Sequence, residues 1–222
     1  MRSGKLQGSE SGMIDLLKNA VMHRHLCVHS IAIDGLKSTL TNDTATDLLI
    51  LFQGKAVIPS SLIGLSEDDV DFDLNEFGRF REHQLAETLN ECYVYCRSFY
   101  IESCCTAIEE FCSVSPTPLL PFQMEAAIFC LNAVSIDATK RALLASASPA
   151  AKTAATKACA SQYPHASVMD LQMIGEDAST HDSLLSRCLI ALNSVPDAVS
   201  QNSLFLFQIS RLLGRVSAFF SK

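Results

Sequence analysis

Acidic side chains at alternate positions are the first residues of this chain that could do chemistry. Asp69, Asp71, Asp73 and Asn75 occupy the successive liganding places of an EF-hand-type calcium loop. The same register puts Leu74 where that loop needs the glycine of its sharp turn, and Phe80 where it needs a bidentate glutamate. Without the turn and the closing carboxylate a calcium ion would be neither wrapped nor held. No metal is therefore expected, and Glu67, Asp68, Asp69, Asp71, Asp73 and Glu76 have two readings. They form a solvated connector, or a contact surface for a basic partner protein. These six are the candidate binding residues.

A second cluster is His23, His25, Cys27 and His29. On a helix His25 and His29 share one face while His23 and Cys27 lie on another, and no second group of ligands follows at a zinc spacing. Cys92 and Cys96 are four residues apart and Cys104 and Cys105 are adjacent, with no C-x-x-C among them. A cysteine nucleophile needs a positioned base, and His83 lies about two turns or more upstream on a helix. Glycine-rich phosphate loops, G-x-S-x-G and H-E-x-x-H are all missing. Nothing points to an enzyme, and no cofactor is expected.

The elements that carry these residues follow from the apolar spacing. Hydrophobic residues make up 48% of 222 and charged residues 18%, enough to bury a sizeable core. The net charge of −7 argues against direct nucleic-acid or anionic-membrane binding. No apolar run reaches the ~20 residues of a membrane span. Nine cysteines, an odd number set inside apolar helical patterns and preceded by no signal peptide, predict buried thiols in a reducing compartment and not disulfides.

Residues 1–12 read as a flexible lead-in and 13–222 as helical, with long loops near 54–78 and 146–180. Asp43 or Thr44 could cap a short apolar segment, Asp47 to Phe52, that Gly54 ends. The pivotal pair of helices spans Phe77 to Cys112. Leu85, Leu89, Cys92 and Cys96 form one face, and Tyr100, Cys104, Ala107, Ile108 and Phe111 a second. Ser115-Pro-Thr-Pro breaks the pattern, and Pro121 opens a helix running to about Ser135. Leu184, Leu185, Cys188, Leu189 and Leu192 mark another helix, stopped by Pro196. In the last, Ser200 to Phe220, the spacing groups Leu206, Ile209, Leu213, Val216 and Phe220 on one side. No strand alternation occurs. Helices joined by turns predict an all-α architecture of stacked helix pairs.

Three stretches carry a family resemblance. Asp71, Phe72, Asp73, Phe77, Phe80 and Arg81, leading through Leu89 to Cys92, resemble the segment of importin-β superfamily receptors in which an acidic, aromatic-punctuated loop enters a helix through F-x-x-F-R. Phe122-Gln-Met-Glu-Ala-Ala-Ile-Phe-Cys-Leu-Asn-Ala-Val is similar to that family's W-x-x-x-E-A helix opening, with Phe122, one residue nearer the glutamate, replacing the tryptophan. Leu213-Gly-Arg-Val-Ser-Ala-Phe-Phe is similar to its L-x-G-x-x-S-x-W helix end. The nearest branch is transportin-SR with importin-13.

The resemblance implies a HEAT-repeat superhelix that grips cargo proteins, basic ones included, under control of the GTPase Ran in its GTP form. It implies shuttling between cytoplasm and nucleus. The alternative is a HEAT-type scaffold that assembles a complex without Ran. The apolar face of the final helix further leads us to expect an internal segment of a longer receptor, because complete solenoids end on a polar outer face.

Overall fold

The computed structural model describes residues 15, 17–18, 35–36, 42–59, 76–115, 117–143 and 177–221, and every regular element among them is helical. The chain divides into two compact units, Met1–Cys92 and Tyr93–Lys222.

In the first unit, helix α1 spans Asn42–Ala56. It buries Ala45, Leu48, Leu49, Phe52 and Ala56, the three-and-four spacing of one helical face. The helix does not end at Gly54 as the sequence suggests. Gly54 lies on the exposed side with open space around it, and burial of Phe52 and Ala56 carries the helix past it. A helical turn at 76–79 then leads into a π-helical stretch, Phe80–Leu85, that packs on α1 and continues directly into α2, Ala86–Cys96. Leu85, Leu89 and Cys92 are buried, as their spacing predicts, whereas Cys96 is half-buried; Phe77 and Phe80 are buried as well.

The second unit begins within α2. Arg97 forms the corner into α3, Ser98–Ser113. It has a φ of 45°, a left-handed backbone on a residue with a Cβ. Its N–H donates to Tyr93 O at 2.8 Å, and its carbonyl accepts from Tyr100 N at 3.1 Å, so the corner is hydrogen-bonded on both sides. Tyr100, Cys104 and Ile108 are buried on the face expected of them. Val114 turns extended beyond the end of α3.

Helix α4 spans Leu120–Leu143, with Pro121 in its first turn, where a missing N–H costs nothing. It runs past Ser135, the expected end, because Ala138 and Ala142 are buried while Lys140 pairs with Asp137 on the outside. Burial covers much of its circumference: Met124, Ile128, Phe129, Leu131 and Val134 are all enclosed. Such a helix needs neighbours on several sides. It has them in α3, in α5 (Asp177–Ala191) and in α7 (Ser203–Arg215). A 3-10 turn, Leu192–Ser194, ends α5, and extended Val195 precedes Pro196 as proline sterics demand. The short helix α6, Asp197–Ser200, leads to α7, whose first turn is capped by Asn202 Oδ1 accepting from Phe205 N at 3.1 Å.

Two sequence expectations are corrected here. The first concerns thiols: Cys105 on α3 and Cys188 on α5 are joined by a disulfide, with their Cα atoms 5.0 Å apart. Two helices packed face to face bring these cysteines together although 83 residues separate them. Cys92, Cys104 and Cys130 are buried and outside any disulfide, in keeping with core packing. The second concerns α7, where the side facing the core holds Phe205, Gln208, Leu212 and Val216. Leu206, Leu213 and Phe220 of the expected stripe are exposed. Gln208 is turned inward because Asn132 Nδ2 of α4 donates both to its backbone oxygen, at 2.9 Å, and to its side-chain Oε1, at 3.0 Å.

Candidate functional site

Of the six candidate binding residues, Glu67, Asp68, Asp69, Asp71 and Asp73 lie outside the described residues, as does the His23 to His29 cluster. Glu76 is exposed at the start of the helical turn before the π-helical stretch. The aromatic residues that follow it face inward. Phe77 and Phe80 are buried with ring centroids 6.1 Å apart, and the Arg81 guanidinium sits 5.5 Å from the Phe77 ring centroid with the side chain buried. A cation over an aromatic face in a desolvated setting is attractive. The Phe77–Phe80–Arg81 element is thus an internal clamp, and Glu76 and Arg79 of the same turn are exposed.

The second unit concentrates its polar chemistry in the seam between α3 and α5. At one end, Tyr93 Oη and His181 Nε2 share a buried 2.9 Å hydrogen bond, with the two rings edge-on at 5.9 Å. Tyr93 also stands edge-on to Tyr100, centroids 5.8 Å apart, and Tyr100 Oη donates to Cys130 O of α4 at 2.8 Å. Further along lies the Cys105–Cys188 bond, with Cys105 Sγ 3.2 Å from Leu184 O. Beyond it Arg187 grips Glu109 in bidentate fashion, Nε to Oε1 at 2.6 Å and Nη2 to Oε2 at 2.8 Å. Last, Cys112 Sγ meets Ala191 O at 3.5 Å.

The charges follow this geometry. The Arg187 hydrogen bond holds the Glu109 carboxyl below its usual range. Desolvation first, and the Glu109 charge second, push the Cys112 thiol up. A thiol so shifted is a poor nucleophile at neutral pH. His181, with its Nε2 bonded to Tyr93, is enclosed. Among the described residues no group of three metal-ligating side chains converges. No helix among them is long and apolar enough to cross a membrane. What the seam can do chemically is bind helix to helix.

The seam also reveals direction. From Cys105 to Cys112 is seven residues on α3, and their carbonyl partners, Leu184 and Ala191, are seven apart on α5. Equal steps of the same sign mean that α3 and α5 run parallel. With α4 against both, and α7 against α4, parallel helices lie side by side and a shared neighbour bridges them.

On the far side of the α4–α7 contact, Asn132 is the hub. Besides its two bonds to Gln208, its carbonyl accepts from Ser135 Oγ at 3.0 Å and from Arg215 Nη1. The outward side of α7 carries Leu206 (47% exposed), Phe207 (62%) and Leu213 (44%). Asn132 and Gln208 carry no signal of their pairing in the sequence, because it arises only when their helices are placed together. Sequence reasoning also missed the Cys105–Cys188 pairing, for which spacing along one chain gives no signal.

Comparison with known proteins returns no match to any family model, to any curated protein or to any solved structure.

Proposed function

We propose that this chain is an α-solenoid segment of a nuclear transport receptor, binding cargo proteins under control of the GTPase Ran. The observation that carries this reading is the parallel run of α3 and α5, bridged by α4, with α7 laid on α4. In a helix-pair stack, like helices of successive repeats lie parallel, and each repeat buries its apolar faces on its neighbours. The near-complete burial of α4 fits such a stack. The choice among solenoids rests on the sequence resemblance at Phe77, Phe80 and Arg81, at Phe122 to Val134, and at Leu213 to Phe220. Phe77, Phe80 and Arg81 of the first stretch are buried together, which fits a packing role for that motif.

In this reading Glu67, Asp68, Asp69, Asp71, Asp73 and Glu76 complement basic cargo signals. Opposite charge raises association rate and selectivity more than raw affinity. The chain passes between cytoplasm and nucleus with its cargo.

The test is binding of the whole chain to Ran loaded with a non-hydrolysable GTP analogue or with GDP, followed by a lysine- and arginine-rich peptide. The reading predicts tight binding of the GTP form only, and peptide release when it binds. Changing the six acidic residues to their amides should cut peptide association at low salt by about tenfold. Equal or no binding of the two Ran forms contradicts the receptor reading. Peptide capture that ignores the nucleotide would leave the alternative, a HEAT-type scaffold.

A further inference from the structure

We propose that Cys105 and Cys188 form a reversible thiol–disulfide clamp on the α3–α5 seam, exchanged with low-molecular-weight disulfides such as glutathione disulfide. Two observations support reversibility. First, the reduced state has a hydrogen-bond acceptor ready, because Cys105 Sγ lies 3.2 Å from Leu184 O. Seven residues along both helices, the free thiol of Cys112 already makes the equivalent contact with Ala191 O. The Cys105 thiol of the reduced pair therefore has an acceptor within the seam. Second, α5 does not depend on the covalent bond for its place. The buried Tyr93–His181 hydrogen bond, helped by the Arg187–Glu109 pair, also ties it to the neighbouring helices. The bond spans 83 residues, so closing it removes much freedom from the unfolded chain, and the redox state becomes readable in a thermal melt.

The exchange balances as follows. One cysteine, as thiolate, attacks a sulfur of the small disulfide. That S–S bond breaks, a mixed disulfide forms and one small thiolate leaves. The second cysteine's thiolate then attacks the protein sulfur of the mixed disulfide, forming the Cys105–Cys188 bond and expelling the second small thiolate. The cysteine pair loses two electrons and two protons, and the small disulfide gains both. Both cysteines are fully buried, so exchange runs through opening of the seam and is slow in the closed protein.

The test equilibrates the whole chain in glutathione mixtures of graded oxidation, alkylates free thiols and maps peptides without reduction. The proposal predicts a linked Cys105–Cys188 peptide that interconverts with the two alkylated peptides as the ratio changes, while helical circular dichroism is unchanged. The oxidised form should melt higher, by on the order of 10 °C. Cys188→Ala should abolish that redox-dependent shift, and Cys112→Ala should keep it. If Cys188→Ala does not fold, the wild-type titration decides alone. Free thiols at both positions in every mixture would overturn the clamp, as would a bond that never opens or helicity lost on reduction.

Discussion

Tyr93 Oη and His181 Nε2 are 2.9 Å apart across 88 residues of sequence, and both side chains are almost wholly enclosed. This bond ties the end of α2 to the first turns of α5, and Tyr100 extends the contact to α4 through Cys130 O. Tyr93→Phe keeps the ring packing and removes the hydroxyl. The expected cost is about 1–2 kcal/mol in chemical denaturation followed by circular dichroism. Combining Tyr93→Phe with His181→Leu should cost less than the two single changes added together, because the pair then vanishes from both sides.

The corner at Arg97 makes a prediction of opposite sign to the usual helix rule. With φ at 45°, a Cβ is strained and a glycine is not. Arg97→Ala and Arg97→Gly both delete the side chain, so their difference isolates the backbone. Arg97→Gly should be the more stable by about 1 kcal/mol in the same unfolding measurement. Inside a helix the order would be the reverse by a similar amount.

The Arg187–Glu109 pair should make stability depend on acid. Arg187 holds the Glu109 carboxyl down, chiefly by hydrogen bonding, so the folded value lies below the unfolded one. The unfolded carboxyl titrates near ~4.3. The pair therefore contributes fully above that pH, and its contribution is lost as pH falls through the lower folded value. Both side chains are more than a third exposed, 41% and 38%, which limits the contribution to under about 1 kcal/mol. Arg187→Lys should lose most of it, since an ammonium cannot reproduce the bidentate grip. Unfolding midpoints at pH 7 and pH 3 for wild type and Glu109→Gln would measure the effect, with the gap between the two proteins closing at the lower pH.

How far the sequence reveals this fold depends on whether a residue's fate is set within its own helix. Leu85, Leu89, Cys92, Tyr100, Cys104 and Ile108 have local spacing that specifies one buried face, and they are buried. Pro121 and Pro196 mark boundaries through their own sterics, and those boundaries hold. The side of α7 that faces inward is different. The sequence of that helix is clearly two-sided, with Leu206, Ile209 and Leu213 opposite Arg211 and Arg215, yet the inward side is shifted to Phe205, Gln208 and Leu212, where Asn132 on α4 bonds Gln208. The disulfide is likewise a product of helix packing, invisible until α3 and α5 are aligned. As for the acidic run, its charge and the aromatic punctuation that leads Phe77 and Phe80 inward are legible in the sequence, whereas the burial of Arg81 against the Phe77 ring is a tertiary fact.

The parallel run of α3 and α5 is the relationship on which the stacked-repeat account depends, and spin-label distances measure it directly. Labels attached through non-cysteine chemistry would replace the exposed residues Glu102 and Glu110 on α3 and Ser183 and Ile190 on α5. Parallel helices in the observed register predict short distances for 102–183 and for 110–190. The crossed pairs, 102–190 and 110–183, should both be longer, since eight residues of helix advance roughly 12 Å. Short crossed pairs with long matched pairs would mean that α3 and α5 are antiparallel, and would contradict the account.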